Sequence, residues 1–220
     1  MPVIGPLVVA MARPFRRNRF DGSANYWEDR YTGGGNSGAG SYKRLAEFKA
    51  AFLNDFVEMN GIRSVVEFGS GDGAQLELAR YPHYIGVDVS KTAVAATRSR
   101  FAGDSSKRFY ESTEFPEGTR ADLALSLDVI YHLVEDEVFD AYMRTLFNAA
   151  SRFVIIYSSN DDSGASAPHV RHRRFTDWIA SKCPDFRLQS HVPNAYPLDV
   201  SDPDNTSFAD FYIFEPSQHR

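Results

Sequence analysis

One cysteine, Cys183, stands in the whole chain, so neither an internal disulfide nor a thiolate zinc cluster can form. That fits a reducing cytoplasm, with the thiol expected to be buried and inert. No apolar run approaches the roughly 18 residues that a membrane-spanning helix needs. The opening MPVIGPLVVAMARPF holds a short apolar run and an Ala10-Met11-Ala12 that faintly resembles a signal cleavage site. No positive segment precedes that run, so residues 1–24 are expected to be a flexible leader, within which Met11 could be the natural start. Positive charge is also short. With 24 Lys and Arg against 29 Asp and Glu, the formal charge is −5, which argues against a chain whose task is to neutralise nucleic-acid phosphates. A Gly-x-x-x-x-Gly-Lys-Ser/Thr run is absent, which removes a P-loop nucleotide site.

What is present is the composition of an ordinary globular protein, 43% hydrophobic and 24% charged over 220 residues, enough for one α/β domain with a full core. Residues 25–60 read as an N-terminal lid and helix. NYWEDRY sets Tyr26, Trp27, Arg30 and Tyr31 within two helical turns, GGGNSGAGS after it reads as a flexible loop, and a helical apolar period runs from a possible cap at Ser41 through Val57. From residue 61 to 220 strands and helices alternate. SVVEFG, HYIGVDV, KRFYES, ADLALSLDV, SRFVIIYSS, FRLQSHV and SFADFYIFE read as strands. AQLELARY, SKTAVAATRSRF with Ser90 as cap, EDEVFDAYMRTLFNAA and RFTDWIASKC read as helices. That alternation predicts a parallel sheet with helices on both faces, and ligands in such sheets sit at the carboxyl ends of the strands.

The glycine-rich turn after the first strand is therefore the place to look. GSGDGA satisfies the dinucleotide pattern through Gly69, Gly71 and Ala74, and Asp88 ends the next strand where ribose hydroxyls would be held. An NAD-type cofactor fits these residues, and so does any other adenosine cofactor. Glu67 discriminates: a carboxylate two residues before the first glycine opposes a pyrophosphate but suits a cofactor with a cationic end, such as the ammonium and sulfonium of S-adenosylmethionine.

VVEFGSGDG, then YIGVDVS, then LALSLDVIYHL resemble the first, second and fourth motifs of class I S-adenosylmethionine-dependent methyltransferases. The resemblance implies a Rossmann-like, seven-stranded, mostly parallel sheet with one antiparallel strand near the C-terminal edge. It also implies cofactor contacts from Glu67, Gly69, Ser70, Gly71, Asp88, Val89, Glu111, Ser112, Asp128 and Val129, with Arg30 added from the lid.

The acceptor must be read outside those motifs. A DNA amino-methyltransferase would carry a D/N-P-P-Y/F run where SLDV stands, so nucleobase methylation is disfavoured. PHVRHRRFTDWI supplies His169, Arg171, His172 and Arg173, a cationic set suited to phosphate or phosphonate oxygens, although a solvated basic loop would look the same. No cysteine or acid completes a metal set around His169 and His172, so no metal is expected. His132 could deprotonate an alcohol, orient an anionic oxygen, or cap the helix that starts near Glu135.

The longer strings YWEDRYTGGGNSGAGSYKRLAEFKAAFLNDFV, SLDVIYHLVEDEVFDAYM, HVRHRRFTDWI and SFADFYIFE are similar to small bacterial methyltransferases of natural-product and surface-glycan pathways, phosphonate O-methyltransferases of antibiotic biosynthesis among them. That likeness implies methyl transfer to an oxygen of a phosphonate or related small anion. Tyr31, His132 and Arg171 would serve the chemistry, and Tyr26, Tyr31, His132, His169, Arg171, His172 and Arg173 would hold the substrate. Three other readings stay open: a sugar or other hydroxyl acceptor with His132 as base, a binding protein without turnover, and, more remotely, an NAD-dependent oxidoreductase.

Overall fold

The computed structural model describes residues 20–165 and 167–217. Residues 1–19, where most of the expected leader falls, lie outside the described residues, as do 166 and 218–220. Seven strands form one sheet: β1 (Ser64–Phe68), β2 (His83–Asp88), β3 (Lys107–Glu111), β4 (Ala121–Leu127), β5 (Ala150–Ser158), β6 (Phe186–Val192) and β7 (Asp210–Pro216). Their order is β3-β2-β1-β4-β5-β7-β6, with β7 antiparallel to both its neighbours and β1 to β5 all parallel. The seven-stranded, mostly parallel sheet expected from the sequence is therefore present. Five helices join it: α1 (Ser23–Thr32), α2 (Lys43–Met59), α3 (Lys91–Arg100), α4 (Asp136–Asn148) and α5 (Phe175–Lys182).

Alternation along each buried strand divides the core between the two faces of the sheet. Val65 of β1 joins a cluster with Leu53, Phe56 and Val57 of α2, whereas Val66 and Phe68 join one with Phe139, Met143 and Leu146 of α4 and Phe175 and Ile179 of α5. Cys183 packs half-buried at the edge of that second cluster. β1 lies between β2 and β4, so the connections leaving its neighbours run in opposite directions and open a crevice at its carboxyl end. Among the described residues no helix is long and apolar enough to cross a membrane.

Local details depart from the sequence reading in three places. Ser41 does not cap α2. It closes a single 3-10 turn, Ala39–Ser41, and the cap position is Tyr42, whose side chain makes no capping bond. Gln75–Leu78 likewise forms one 3-10 turn in place of a helix, because Pro82 follows closely and the backbone is extended at Ala79. The glycine-rich segment after α1 is anchored: Ser37 N–H donates to Asp72 at 3.0 Å, and Ser37 Oγ accepts from Asp72 N–H at 3.0 Å.

Ser90 behaves as expected. Its hydroxyl accepts from Ala93 N–H at 3.1 Å, capping α3, and donates to Glu28 Oε2 at 2.6 Å, which fastens α1 to the same helix end. Replacement Ser90→Ala should cost about 1 kcal/mol of stability, the usual worth of a cap. Urea unfolding should show a lower midpoint at unchanged slope.

Candidate active site

The crevice at the carboxyl ends of β1, β2 and β4 holds a cavity of about 530 Å³, roofed by α1 through Ser23, Trp27 and Tyr31 and floored by the glycine-rich turn. Two glycines make that turn possible. Gly69 has φ +81°, and a Cβ there would lie 2.3 Å from Val129 Cγ2; Gly71 has φ +59°, and its Cβ would lie 2.3 Å from Ser37 Oγ. Bare backbone is thus compressed between the turn after β4 and the segment after α1.

Two carboxylates point into this place. Glu67, on the face of β1 that meets α2, is 5% exposed and accepts a 2.7 Å hydrogen bond from Tyr84 Oη. Burial raises its pKa to about 7, against the hydrogen bond from Tyr84 and the nearby charge of Lys49, which lower it. Asp88 is also buried. It accepts from Gly71 N–H at 2.8 Å through one oxygen and from Ser90 N–H at 2.9 Å through the other, so both oxygens retain lone pairs for hydroxyl donors. Burial shifts its pKa upward despite those bonds.

The end of β4 carries the third acid. Asp128 sits at φ +59°, unusual for a residue with a side chain, and its carboxylate is fixed from two sides: Lys49 Nζ donates to Oδ2 at 2.6 Å and Tyr131 Oη donates to Oδ1 at 3.0 Å. Lys49 is 1% exposed and lies over the Tyr157 ring, 5.3 Å from its centre. Further along the same turn, His132 lines the cavity, with Nδ1 2.9 Å from the His169 carbonyl. A carbonyl only accepts, so the proton is on Nδ1 and Nε2 keeps its lone pair. Burial, the largest influence, drives the His132 pKa down to about 4. No role as a helix cap remains for His132, since the cap position of α4 is Glu135.

The residues expected at the site divide into two groups. Glu67, Gly69, Ser70, Gly71, Asp88, Val89, Ser112, Asp128, Val129, Tyr31 and His132 all line the cavity. Glu111 does not; it faces Lys91 at 3.8 Å. Tyr26, Arg30, His169, Arg171, His172 and Arg173 are likewise not among the residues that line it. Arg30 donates to the Asn36 carbonyl at 2.6 Å and to Tyr26 Oη at 3.3 Å, and Tyr26 stacks on His169 at 4.4 Å. His172 bonds to Ser159 Oγ at 2.7 Å.

Arg171 and Arg173, expected in the cationic substrate cluster, have partners within the fold. Arg171 donates to the Val134 carbonyl at 2.9 Å and pairs with Asp136, while Arg173 donates to the Leu133 and Val134 carbonyls at 2.6 and 2.8 Å and pairs with the same aspartate. The carbonyls of the turn before α4 take up the guanidinium donors, a demand invisible in the sequence. Lys49, Phe115, and Val138 and Ala141 of α4 also line the cavity, and sequence reasoning did not single them out. Their apolar or helical periodicity reads as core, and only Phe115, just past the expected cofactor contacts Glu111 and Ser112, carried a usable signal.

α1 is fastened by polar contacts at three points. Ser23 bonds to Glu135 and to the His132 carbonyl, Glu28 accepts from Ser90 and Thr92, and Tyr31 bonds to Ser37. Among the described residues no group of three or more His, Cys, Asp and Glu is placed to hold a metal ion.

Comparison with known proteins agrees with this geometry. Residues 66–154 match the family described as methyltransferase domain. The N-methyltransferase NodS from Bradyrhizobium japonicum WM9, in complex with S-adenosyl-L-homocysteine, superposes with a TM-score of 0.69 over 90% of this chain and 100% of its own, at 14% identity. Magnesium protoporphyrin IX methyltransferase from Synechocystis PCC 6803 with bound S-adenosyl-L-homocysteine gives 0.60 over 78% of this chain and 83% of its own, also at 14% identity. The methyltransferase domain of bacterial CtHen1-C gives 0.60 over 77% and 97%, at 16% identity. No curated protein sequence matches the chain. At such identities the superpositions establish the fold.

Residues 66–154 thus carry a methyltransferase-domain match on a Rossmann-like sheet. S-adenosylmethionine is the cofactor that this matched segment and its fold support. The chain's own residues fit that group: glycines without side chains at the closest approach, a buried carboxylate for a cationic end, and Asp88 with free lone pairs for ribose hydroxyls.

Glu67 makes stability depend on pH. Its folded pKa of about 7 exceeds the ordinary 4.5, so the folded state binds more protons than the unfolded state between those values, and stability falls as pH rises through that window. The loss is on the order of 3 kcal/mol at one pKa unit per 1.36 kcal/mol. Ligand-free wild type should therefore show a higher urea midpoint at pH 5 than at pH 8, and Glu67→Gln should flatten that difference.

Proposed function

We propose that this enzyme transfers a methyl group to an oxygen of a small anionic molecule, a phosphonate or a related phosphorylated compound. One observation carries the reading: His132, the cavity-lining group with a free nitrogen lone pair, is held near pKa 4 by burial. A base that weak gains little by accepting a proton from an alcohol, so the acceptor is best supplied with its oxygen already ionised. Phosphate monoesters meet that need with a second pKa near ~6. Tyr31 agrees, since burial raises it above its ordinary range and leaves it a neutral hydroxyl at the cavity wall.

When bound, S-adenosylmethionine supplies an electrophilic methyl carbon on a sulfonium; the new O–C bond forms as the C–S bond breaks and its electron pair passes to sulfur. The chain's residues have three tasks around that displacement: to align the acceptor oxygen, exclude water and hold charge. Trp27 and Tyr31 of α1 cover the cavity, with Trp27 edge-on to His132 at 5.0 Å. α1 thus serves as the lid, released through its polar fastenings. Support for a phosphonate in particular comes from the long strings that begin YWEDRYTGGG and SLDVIYHLVEDE, with HVRHRRFTDWI and SFADFYIFE, which resemble the phosphonate O-methyltransferase of dehydrophos biosynthesis.

A sugar or other hydroxyl acceptor is the second reading, and the tautomer of His132 favours it: with Nδ1 bonded to the His169 carbonyl, Nε2 is left to accept a proton. The two readings separate on one variant. With an ionised acceptor, His132→Gln should lower kcat by less than about 10-fold and leave the pH–rate profile unchanged. If His132 is the base, the loss should reach the roughly 10²–10⁴-fold range of general base catalysis. The assay is methyl transfer to a panel of phosphonates, phosphate monoesters and sugars, with products identified by mass spectrometry.

A further inference from the structure

The arginines that the sequence offered as anion holders are committed elsewhere: Arg171 and Arg173 to Asp136 and to carbonyls before α4, Arg30 to Asn36 and Tyr26. Yet an anionic acceptor needs a cation inside the cavity. Among the described residues that line it, Lys49 is the one ammonium, and no guanidinium lines it.

Lys49 is built unlike a surface lysine. It leaves α2 one turn beyond Leu45 and Ala46, both buried, and is itself 1% exposed. An ammonium carries three N–H donors. One bonds to Asp128 Oδ2 at 2.6 Å, the Tyr157 ring lies against the charge, and among the described residues no other acceptor bonds to it. Asp128 gives no room to shift, since Tyr131 holds its other oxygen and a Cβ on Gly40 would lie 2.6 Å from Oδ2. A buried ammonium so fixed, with donors to spare, is placed to bond an acceptor oxygen from outside the protein.

The position separates this group from the glycine cradle. Val129 turns its side chain onto Gly69, whereas Asp128 turns its carboxylate toward Gly40, Lys49 and Tyr131. Tyr131 stands beside His132, their rings 4.4 Å apart, so Lys49 and Asp128 connect to the histidine flank of the cavity. The charged groups facing Lys49 are Asp128 from the turn after β4 and Glu67 from β1.

We propose that the Lys49 ammonium, oriented by Asp128, is the cation that receives the oxyanion of the methyl acceptor. The proposal rests on reading the acceptor as anionic. Substrate selection then depends on a lysine in α2, outside the shared motifs at the strand ends.

The test is calorimetric titration of methylphosphonate into the full-length protein saturated with S-adenosylhomocysteine, preceded by titration of S-adenosylhomocysteine itself. Lys49→Met should bind S-adenosylhomocysteine within about 3-fold of wild type and methylphosphonate about 10- to 100-fold more weakly, the range for losing a hydrogen bond to a charged group. Lys49→Arg, which keeps the charge, should recover part of the phosphonate affinity, and it decides the question if the methionine variant fails to fold. Full phosphonate affinity in Lys49→Met, or none in a Lys49→Arg protein that still binds S-adenosylhomocysteine, overturns the assignment. So does a folded Lys49→Met that loses S-adenosylhomocysteine, which would place the ammonium on the cofactor. If wild type binds S-adenosylhomocysteine but no phosphonate or phosphate monoester, the anionic-acceptor reading itself fails.

Discussion

The close approach of backbone to side chain at Gly69 and Gly71 is the constraint on which the rest of this molecule depends. Val129 from the turn after β4 occupies the space a Cβ would take at Gly69, and Ser37 from the segment after α1 does the same at Gly71. Three parts of the chain distant in sequence therefore meet on one stretch of bare backbone. Asp88 closes the arrangement by accepting the Gly71 N–H at 2.8 Å, so the end of β2 and the turn after β1 hold each other in place. The cavity exists because these contacts stop the crevice from filling with side chains.

Charge is distributed around that cavity in an ordered way. Glu67 and Asp88 are buried and pushed toward protonation, which makes the ligand-free site costly and a cationic ligand favourable. Asp128 stands apart because Lys49 and Tyr131 satisfy it. The basic loop after β5 spends its arginines on the turn before α4 and so sets the path of the chain into that helix. Asp136, the acid shared by those arginines, is 74% exposed, so the bonds to the turn's carbonyls matter more than the ion pairs.

α1 differs from the other helices in how it is held. Ser23 is its one buried residue, and its attachments include hydroxyl and carboxylate contacts to Glu135, Ser90 and Thr92 beside the ring contacts of Tyr26 and Trp27 with His169 and His132. Such polar contacts contribute little net free energy each and can be exchanged with water. No residue of α1 belongs to either hydrophobic cluster.

Much of this was legible in the amino-acid sequence. Apolar runs such as SVVEF and ADLALSL marked the strands, the order of strands and helices implied the sheet, and Glu67, Gly69, Gly71 and Asp88 pointed to the cofactor. Local chemistry determined all of these, because strand alternation, positive φ at glycine and the cap at Ser90 act within a few residues. Tertiary structure alone decided where the long charged side chains find their partners. Lys49 looks like one polar position in an amphipathic helix until α2 is laid against the sheet, and Arg171 and Arg173 look like anion holders until the carbonyls of Leu133 and Val134 claim them. Charged side chains are long and satisfy whichever partner folding brings near, so their roles follow from contacts between distant segments.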